Sequence, residues 1–93
     1  MTMTKQQFLT SSGVQLQVLE FWLDQRWLVP DEHAGELHFH EIDVARAHLI
    51  RQLKDDLGAN DQGIDMILHL MDQVHGLRRA LTELRLQMDV GKP

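Results

Sequence analysis

Three histidines cluster in the stretch Trp27–Asp43, which reads WLVPDEHAGELHFHEID. His38 and His40 alternate with apolar residues, so they would share one face of a strand, with His33 on the preceding strand and carboxylates nearby. Imidazole and carboxylate groups are common zinc ligands. The stretch has no third ligand at a fixed spacing, however, and we favour a hairpin with solvated histidines over a metal site.

Two further polar sets could carry chemistry. Asp65, His69 and Asp72 stand at i, i+4 and i+7, on one face of a helix. A solvated polar face explains them without a metal, and we favour that interpretation. The run Ser11-Ser12-Gly13 has no strained elbow and no paired base that would activate a nucleophile. We therefore expect no catalytic residues, no metal and no cofactor, and a protein that acts by binding.

Length and composition limit the possible fold and function of the chain. Ninety-three residues make one small domain, and a core of that size is thin enough to gain from a second copy or a partner. The absence of cysteine excludes disulfides, thiolate metal sites and a cysteine nucleophile. The polar segment Met1–Gly13 fits neither a signal peptide nor a membrane span. We expect a cytoplasmic protein that does not contact membranes.

The net charge of −5 comes from the first half of the chain. Up to Asp43 the sequence has two bases, Lys5 and Arg26, against seven acids, and from Val44 onward bases and acids cancel. An acidic half of this kind repels nucleic acid and attracts a basic surface.

The first half has the pattern of two short helices followed by a hairpin. An apolar-polar run at Thr4–Leu9 ends in the turn cluster Thr10–Gly13, and a second helical pattern opens at Val14 and stops before Pro30. This is the sequence shape of a helix-turn-helix. Gly35 then supplies a turn, after which a period of two predicts that Leu37 and Phe39 are buried and that His38 and His40 face water.

Helical periodicity resumes at Ile42 and ends at Gly58. The residues expected on its inward face are Ala45, Leu49, Ile50, Leu53 and Leu57. Asn60 is a good N-cap for a last helix from Asp61 to about Asp89. The division is therefore a helix-turn-helix and wing unit over 1–60 and a C-terminal helix over 61–93, within one domain.

The last helix carries an uninterrupted heptad pattern. Its first part also has a wide apolar face, at Ile64, Ile67, Leu68, Leu70 and Met71, as expected of a segment buried against its own domain. Beyond it the apolar residues alternate in steps of three and four, and a seam of this kind needs a partner, most simply a second copy. We predict a homodimer whose seam, starting from Ile67, comprises Leu70, Val74, Leu77, Leu81, Leu84 and Met88. Packing of this helix back on its own domain is the alternative, and a parallel or antiparallel arrangement stays open.

The chain resembles the MerR-type helix-turn-helix superfamily along nearly its whole length. The residues that carry the resemblance are Ser12-Gly13-Val14, Leu19, Leu28, Pro30, Gly35, Phe39 and Asp43-Val44. The resemblance implies a mainly α fold: a winged helix-turn-helix with a small β-hairpin wing and a long C-terminal dimerisation helix.

The chain departs from the DNA-reading members of that superfamily. Those members place Arg after the helix-two Leu and a Tyr-Arg pair after the wing Gly, whereas this chain has Glu20, Glu36 and Leu37 there. DNA binders commonly set about six to ten cations against phosphates. Here Arg26 and Lys5 alone would face seven acids, so we expect DNA binding to be lost.

Within the superfamily the chain looks most like small chaperone modulators of the CbpM type. The likeness rests on Trp27–Pro30, Asp43–Arg46 and the stretch Asp56–Asp72. It implies a protein that binds the J-domain of a DnaJ-like co-chaperone of the CbpA type, blocks its stimulation of a DnaK-type chaperone and restrains its DNA binding. The alternative is a MerR-type transcriptional regulator that binds DNA.

Charge complementarity with the basic helix of a J-domain would give rate and selectivity, and tryptophans are the candidate apolar anchors. Trp22 is more simply a core residue, whereas Trp27 is equally compatible with the core and with the interface. The partner-binding candidates are Glu20, Asp24, Trp27, Glu32 and Glu36.

Overall fold

The computed structural model describes residues 2–90; Met1 and residues 91–93, which end the predicted C-terminal unit 61–93, lie outside it. None of the helices in that range combines the length and apolarity that a membrane span needs. The elements follow one another as α1 (Lys5–Ser12), α2 (Leu16–Asp24), β1 (Asp31–His33), β2 (Glu36–His38), α3 (Glu41–Arg51) with a terminal π-helical turn (Gln52–Asp56), and α4 (Asp61–Val90). The predicted order of elements, and with it the mainly α winged helix-turn-helix fold, is confirmed.

The helix-turn-helix is fixed by capping at both ends of α1. Thr4 accepts a hydrogen bond from the Gln7 backbone N–H at 3.2 Å, and its own N–H donates to the Gln7 side chain at 2.9 Å, which forms a capping box. Gly13 ends the helix in the left-handed conformation at φ 72°. α1 therefore runs through Ser12, three residues beyond the predicted run, and α2 begins at Leu16 rather than at Val14.

α2 ends in a Schellman motif with an unusual residue. The Trp27 N–H donates to the Trp22 carbonyl at 2.9 Å and the Arg26 N–H to the Leu23 carbonyl at 3.2 Å, the two bonds that define the motif. Arg26 holds the left-handed position at φ 61°, where glycine is usual. The motif turns the chain so that Trp27 enters the core.

The hairpin is a two-stranded antiparallel ribbon with Glu32 opposite Leu37. Its turn has positive φ at both central residues, 53° at Ala34 and 79° at Gly35, which is the type I′ geometry. Phe39 continues the second strand and exchanges two backbone hydrogen bonds, of 2.7 and 2.8 Å, with Met3. The ribbon is thus joined to the start of the chain.

The inward face of α3 differs from the predicted one. Ile50 and Leu53 are buried as expected and Leu49 is half-buried, but Ala45 and Leu57 are exposed. Ala47, which was not predicted, is fully buried. The apolar residues of this helix cover more than one face, and packing against α1 selected the face centred on Ala47 and Ile50.

One hydrophobic core holds the helices and the wing together. Phe8 of α1 stacks on Phe39 at 4.4 Å between ring centroids. Trp22 is 2% exposed, which confirms its assignment to the core. Leu37 is only half-buried, and His38 and His40 are half-buried rather than fully wet.

α4 begins where it was predicted. Asn60 accepts a hydrogen bond from the Gly63 N–H at 2.8 Å, so it acts as the N-cap. Ile64 and Leu68 are buried in the core, whereas Leu70 is 54% exposed and does not belong to the buried face. The core contact of α4 therefore ends after about two turns, and the rest of this 30-residue helix extends away from the domain.

The type I′ turn gives a test of backbone strain. Ala34→Asn should raise the free energy of unfolding by about 0.5–1 kcal/mol, because asparagine tolerates the left-handed conformation better than alanine does. Gly35→Ala should lower it by about 1 kcal/mol, since an added Cβ at Gly35 meets no atom within 4 Å and only the φ of 79° penalises it. Urea unfolding of both variants measures this; equal effects would contradict it.

Candidate functional site

The outer face of α2 is acidic and partly apolar. Glu20 and Asp24 lie one turn apart and are exposed, and the helix contains no Lys or Arg. Leu16 and Phe21 are 49% and 40% exposed beside them. Lys5 of α1 makes a 3.3 Å ion pair with Glu20. α2 occupies the place of the DNA-reading helix in a helix-turn-helix.

The wing carries its two candidate acids on opposite faces. Glu32 shares a face with Leu37, and Glu36 shares the other with His33 and His38. Both are exposed, but a single flat partner surface cannot contact both side chains in the same way.

Trp27 is not a surface anchor. Only 2% of it is exposed, and its Nε1–H donates to Asp65 of α4 at 3.0 Å. Of the five partner-binding candidates, the four acids lie at the surface and Trp27 lies in the core. The exposed apolar side chains of α2 are instead Leu16 and Phe21, which the sequence analysis did not single out.

The wing histidines contact a carboxylate and one another. The His40 Nε2 lies 2.7 Å from a carboxylate oxygen of Asp31, and the rings of His33 and His38 are 5.4 Å apart. Within residues 2–90, no three histidine or carboxylate side chains converge as metal ligands do. The hydrogen bond from His40, helped by the charges of His33 and His38, lowers the pKa of Asp31 below its ordinary value of 3.8.

Two carboxylates on α4 fasten that helix to the domain. Asp72 accepts two hydrogen bonds from the Arg46 guanidinium, at 2.8 and 3.1 Å. The Nε–H of Arg46 donates a further hydrogen bond to the Trp27 carbonyl. The hydrogen bond from Arg46 lowers the pKa of Asp72. Asp65, His69 and Asp72 are exposed, as expected of a solvated face. Asp65 and Asp72 also make polar contacts between α4, α3 and the segment after α2, which the sequence did not predict.

An open groove, which we call the α3–α4 groove, lies where α4 leaves the domain. It encloses about 760 Å3. Its walls combine apolar side chains from α3, α4 and the segment before the wing with several cations. Sequence analysis missed it, because its residues come from three segments and several were assigned to the core. The residues used below are Arg26, Val29, Ile42, Leu49, Met71 and Arg79.

The seam of α4 is exposed from Leu70 onward, whereas Ile67 at its start is half-buried against the core. The exposed fractions are 54% for Leu70, 46% for Val74, 66% for Leu77, 60% for Leu81, 53% for Leu84 and 61% for Met88. A row of apolar residues this exposed is what pairing of two helices requires, and pairing through it stays a prediction. Packing of this part of α4 on its own domain is not seen in the described residues.

A family model described as MerR HTH family regulatory protein matches residues 3–86 of the chain. The match covers the helix-turn-helix, the wing and most of α4. No curated protein and no solved structure gives a significant match.

The wing ion pair has a pH signature. His40→Ala should raise the pKa of Asp31 toward 3.8, because the hydrogen bond from His40 is the largest cause of its depression. A depressed carboxyl pKa stabilises the fold above the unfolded value and loses that contribution as the pH falls through the lower folded value. An NMR titration of the Asp31 carboxyl carbon measures the shift. An unchanged pKa in the variant would contradict the assignment.

The seam gives a test of pairing. At about 1 μM, Leu77→Asp combined with Leu84→Asp should convert a dimeric mass into a monomeric one in light scattering, because paired helices would bury unpaired charges there. Leu86→Asp is the matched control: Leu86 is 59% exposed on the same helix but lies outside the heptad positions. A mass that does not change in the double variant would refute dimerisation through this seam.

Proposed function

The chain belongs to the MerR helix-turn-helix regulatory family, and from this premise we propose that it regulates a protein partner by occupying it. The partner we propose is the J-domain of a DnaJ-like co-chaperone. The chain would block both the stimulation of a DnaK-type chaperone and the DNA binding of the co-chaperone. No covalent chemistry is part of this proposal.

The observation that carries the proposal is the charge of α2. In the position where a DNA-binding relative presents cations to phosphates, this helix exposes Glu20 and Asp24 and has no Lys or Arg. Facing the phosphate backbone, these carboxylates would be repelled and would release no counterions. Facing a basic helix, such as a J-domain presents to its chaperone, the same carboxylates are complementary.

The apolar part of the same face supports a protein partner. Leu16 and Phe21 are exposed next to the two acids, and desolvated apolar contacts supply most of the affinity at protein interfaces while rim charges set rate and selectivity. The face thus combines the two components of a protein interface within one helix of nine residues.

The second candidate is a MerR-type regulator that binds DNA. The family match favours it, because the matching model describes regulatory proteins with a helix-turn-helix and spans the whole α1–α2 unit and the wing. Arg26 and Lys5 are the cations of the helix-turn-helix and wing that a DNA-binding mode would use. The acidic face of α2 would have to point away from the duplex.

Parallel titrations separate the two candidates. The purified chain is titrated with a J-domain and, separately, with duplex DNA at about 0.15 M salt, where non-specific DNA binding is weak. The proposal expects saturable J-domain binding and no DNA binding of comparable strength. Tight DNA binding without J-domain binding would establish the second candidate.

Charge reversal on α2 tests the surface itself. Glu20→Lys combined with Asp24→Lys should weaken J-domain binding by about tenfold or more, chiefly by slowing association, because like charges would then face each other. Asp55→Lys combined with Asp56→Lys is the matched control, since it makes the same change in net charge on the exposed π-helical turn. Equal losses in both variants would mean that net charge, and not the α2 face, governs binding.

A further inference from the structure

The α3–α4 groove exposes several apolar side chains. Val29 is 74% exposed and Ile42 is 76% exposed, and both line the groove with the half-buried Leu49 and Met71. Single exposed apolar residues are normal on a protein surface, whereas several in one concave site indicate a binding surface. The occupant of this groove must therefore bring apolar side chains.

The unneutralised charge of the groove is positive. Arg46 is already held by Asp72, and Asp43 is buried and accepts the His40 backbone N–H at 2.8 Å. Arg26 and Arg79 also line the groove, and neither makes an ion pair with any residue between 2 and 90. An occupant with carboxylates beside its apolar side chains would complement both cations.

Arg26 also has an unfavourable backbone conformation for its residue type. It occupies the left-handed position of the Schellman motif at φ 61°, where glycine carries no Cβ penalty. Residues held in sparsely populated backbone conformations cluster at functional sites, and the fold alone would favour glycine at this position.

We infer that the α3–α4 groove binds helix α2 of a second copy of this chain. The outer face of α2 has the required chemistry, with Leu16 and Phe21 exposed beside Glu20 and Asp24. The two apolar side chains would enter the groove. The two carboxylates would meet Arg26 and Arg79 at its rim, and Glu20 would exchange its exposed 3.3 Å contact with Lys5 for this one. Among the helices in residues 2–90, α2 alone combines two exposed acids with the absence of any Lys or Arg along the whole helix.

The two complementary surfaces adjoin on each molecule. The Phe21 ring packs edge-on against Trp27 with centroids 5.5 Å apart, and Trp27 lines the groove. Arg26 stands between them, directly after α2. A two-fold axis near Arg26 therefore places each α2 over the groove of the other copy, and the contact closes as an isologous pair.

This contact is separate from the α4 seam. Groove-lining residues of α4, such as Met71 and Arg79, fall outside the heptad positions that Leu77 and Leu84 occupy. The pair would also cover Glu20 and Asp24. One consequence rests on the proposed function: self-association would compete with the basic partner for the outer face of α2.

A charge exchange tests the inference. Sedimentation velocity is run on the full chain carrying Leu77→Asp and Leu84→Asp, which removes the seam, from about 10 μM to about 1 mM. The groove variant adds Arg26→Glu and Arg79→Glu; the helix variant adds Glu20→Arg and Asp24→Arg. We expect the parent chain, which carries only the two seam substitutions, to self-associate in this range. Each variant alone should associate at least about tenfold more weakly. A mixture of the two variants should recover pairing, because both contacts of the mixed pair are again complementary.

Controls keep the outcome readable. Arg79→Glu alone leaves the Schellman motif untouched and should still weaken pairing, and Lys54→Glu, on the π-helical turn, should not. Circular dichroism verifies that each variant is folded. A parent that stays monomeric, an association unaffected by the groove and helix variants, or a mixture that fails to recover pairing would each overturn the inference. Seam dimerisation and J-domain binding are measured on other variants and stand or fall separately.

Discussion

The direction in which α4 leaves the domain depends on hydrogen bonds centred on Arg46. Its guanidinium holds Asp72 of α4 with two bonds and donates a third to the Trp27 carbonyl, while the Trp27 ring donates to Asp65. With Ile64 and Leu68 buried beneath them, these contacts fix the helix over its first turns. The angle of the α3–α4 groove and the exposure of the seam both follow from that attachment.

The structure separates what maintains this fold from what the fold binds. The backbone signals are a capping box at Thr4, a left-handed Gly13, the Schellman motif at Arg26 and the type I′ turn at Gly35. None of them involves the outer face of α2. Exposed side chains away from such features usually change stability by no more than about 0.5 kcal/mol, so acids can replace cations there without cost to the fold.

Local signals in the sequence predicted the elements well, and tertiary choices less well. Gly58 and Asn60 predicted the boundary between α3 and α4 because both signals are local. Gly58 adopts the left-handed conformation, and the Asn60 side chain accepts the N–H of Gly63, three residues later. The prediction of the inward face of α3 was partly wrong because the apolar residues of this helix lie on more than one face. Only packing against α1 selects the face that buries Ala47. The sequence showed Asp65 and Asp72 on one face, but not the contacts of Trp27 and Arg46 that explain their spacing.

The candidate site was predictable in its charge but not in its shape. Counting acids pointed to Glu20 and Asp24, whose exposure depends only on helix periodicity. The burial of Trp27 and the placing of Glu32 and Glu36 on opposite faces depend on the turn after α2 and on the strand register. The groove could not be predicted from the sequence, because it forms only when the fold brings α3, α4 and Val29 together.

The central claim is that the acidic face of α2 contacts a protein and not DNA. Amide NMR spectra of the isotopically labelled chain, recorded during titration with a J-domain and then with duplex DNA, test it most directly. The account predicts shifts concentrated in α2 around Glu20 and Asp24 on addition of the J-domain, and no shifts of comparable size with the duplex. Shifts in α2 on addition of DNA, together with an unchanged spectrum in the presence of the J-domain, would contradict it.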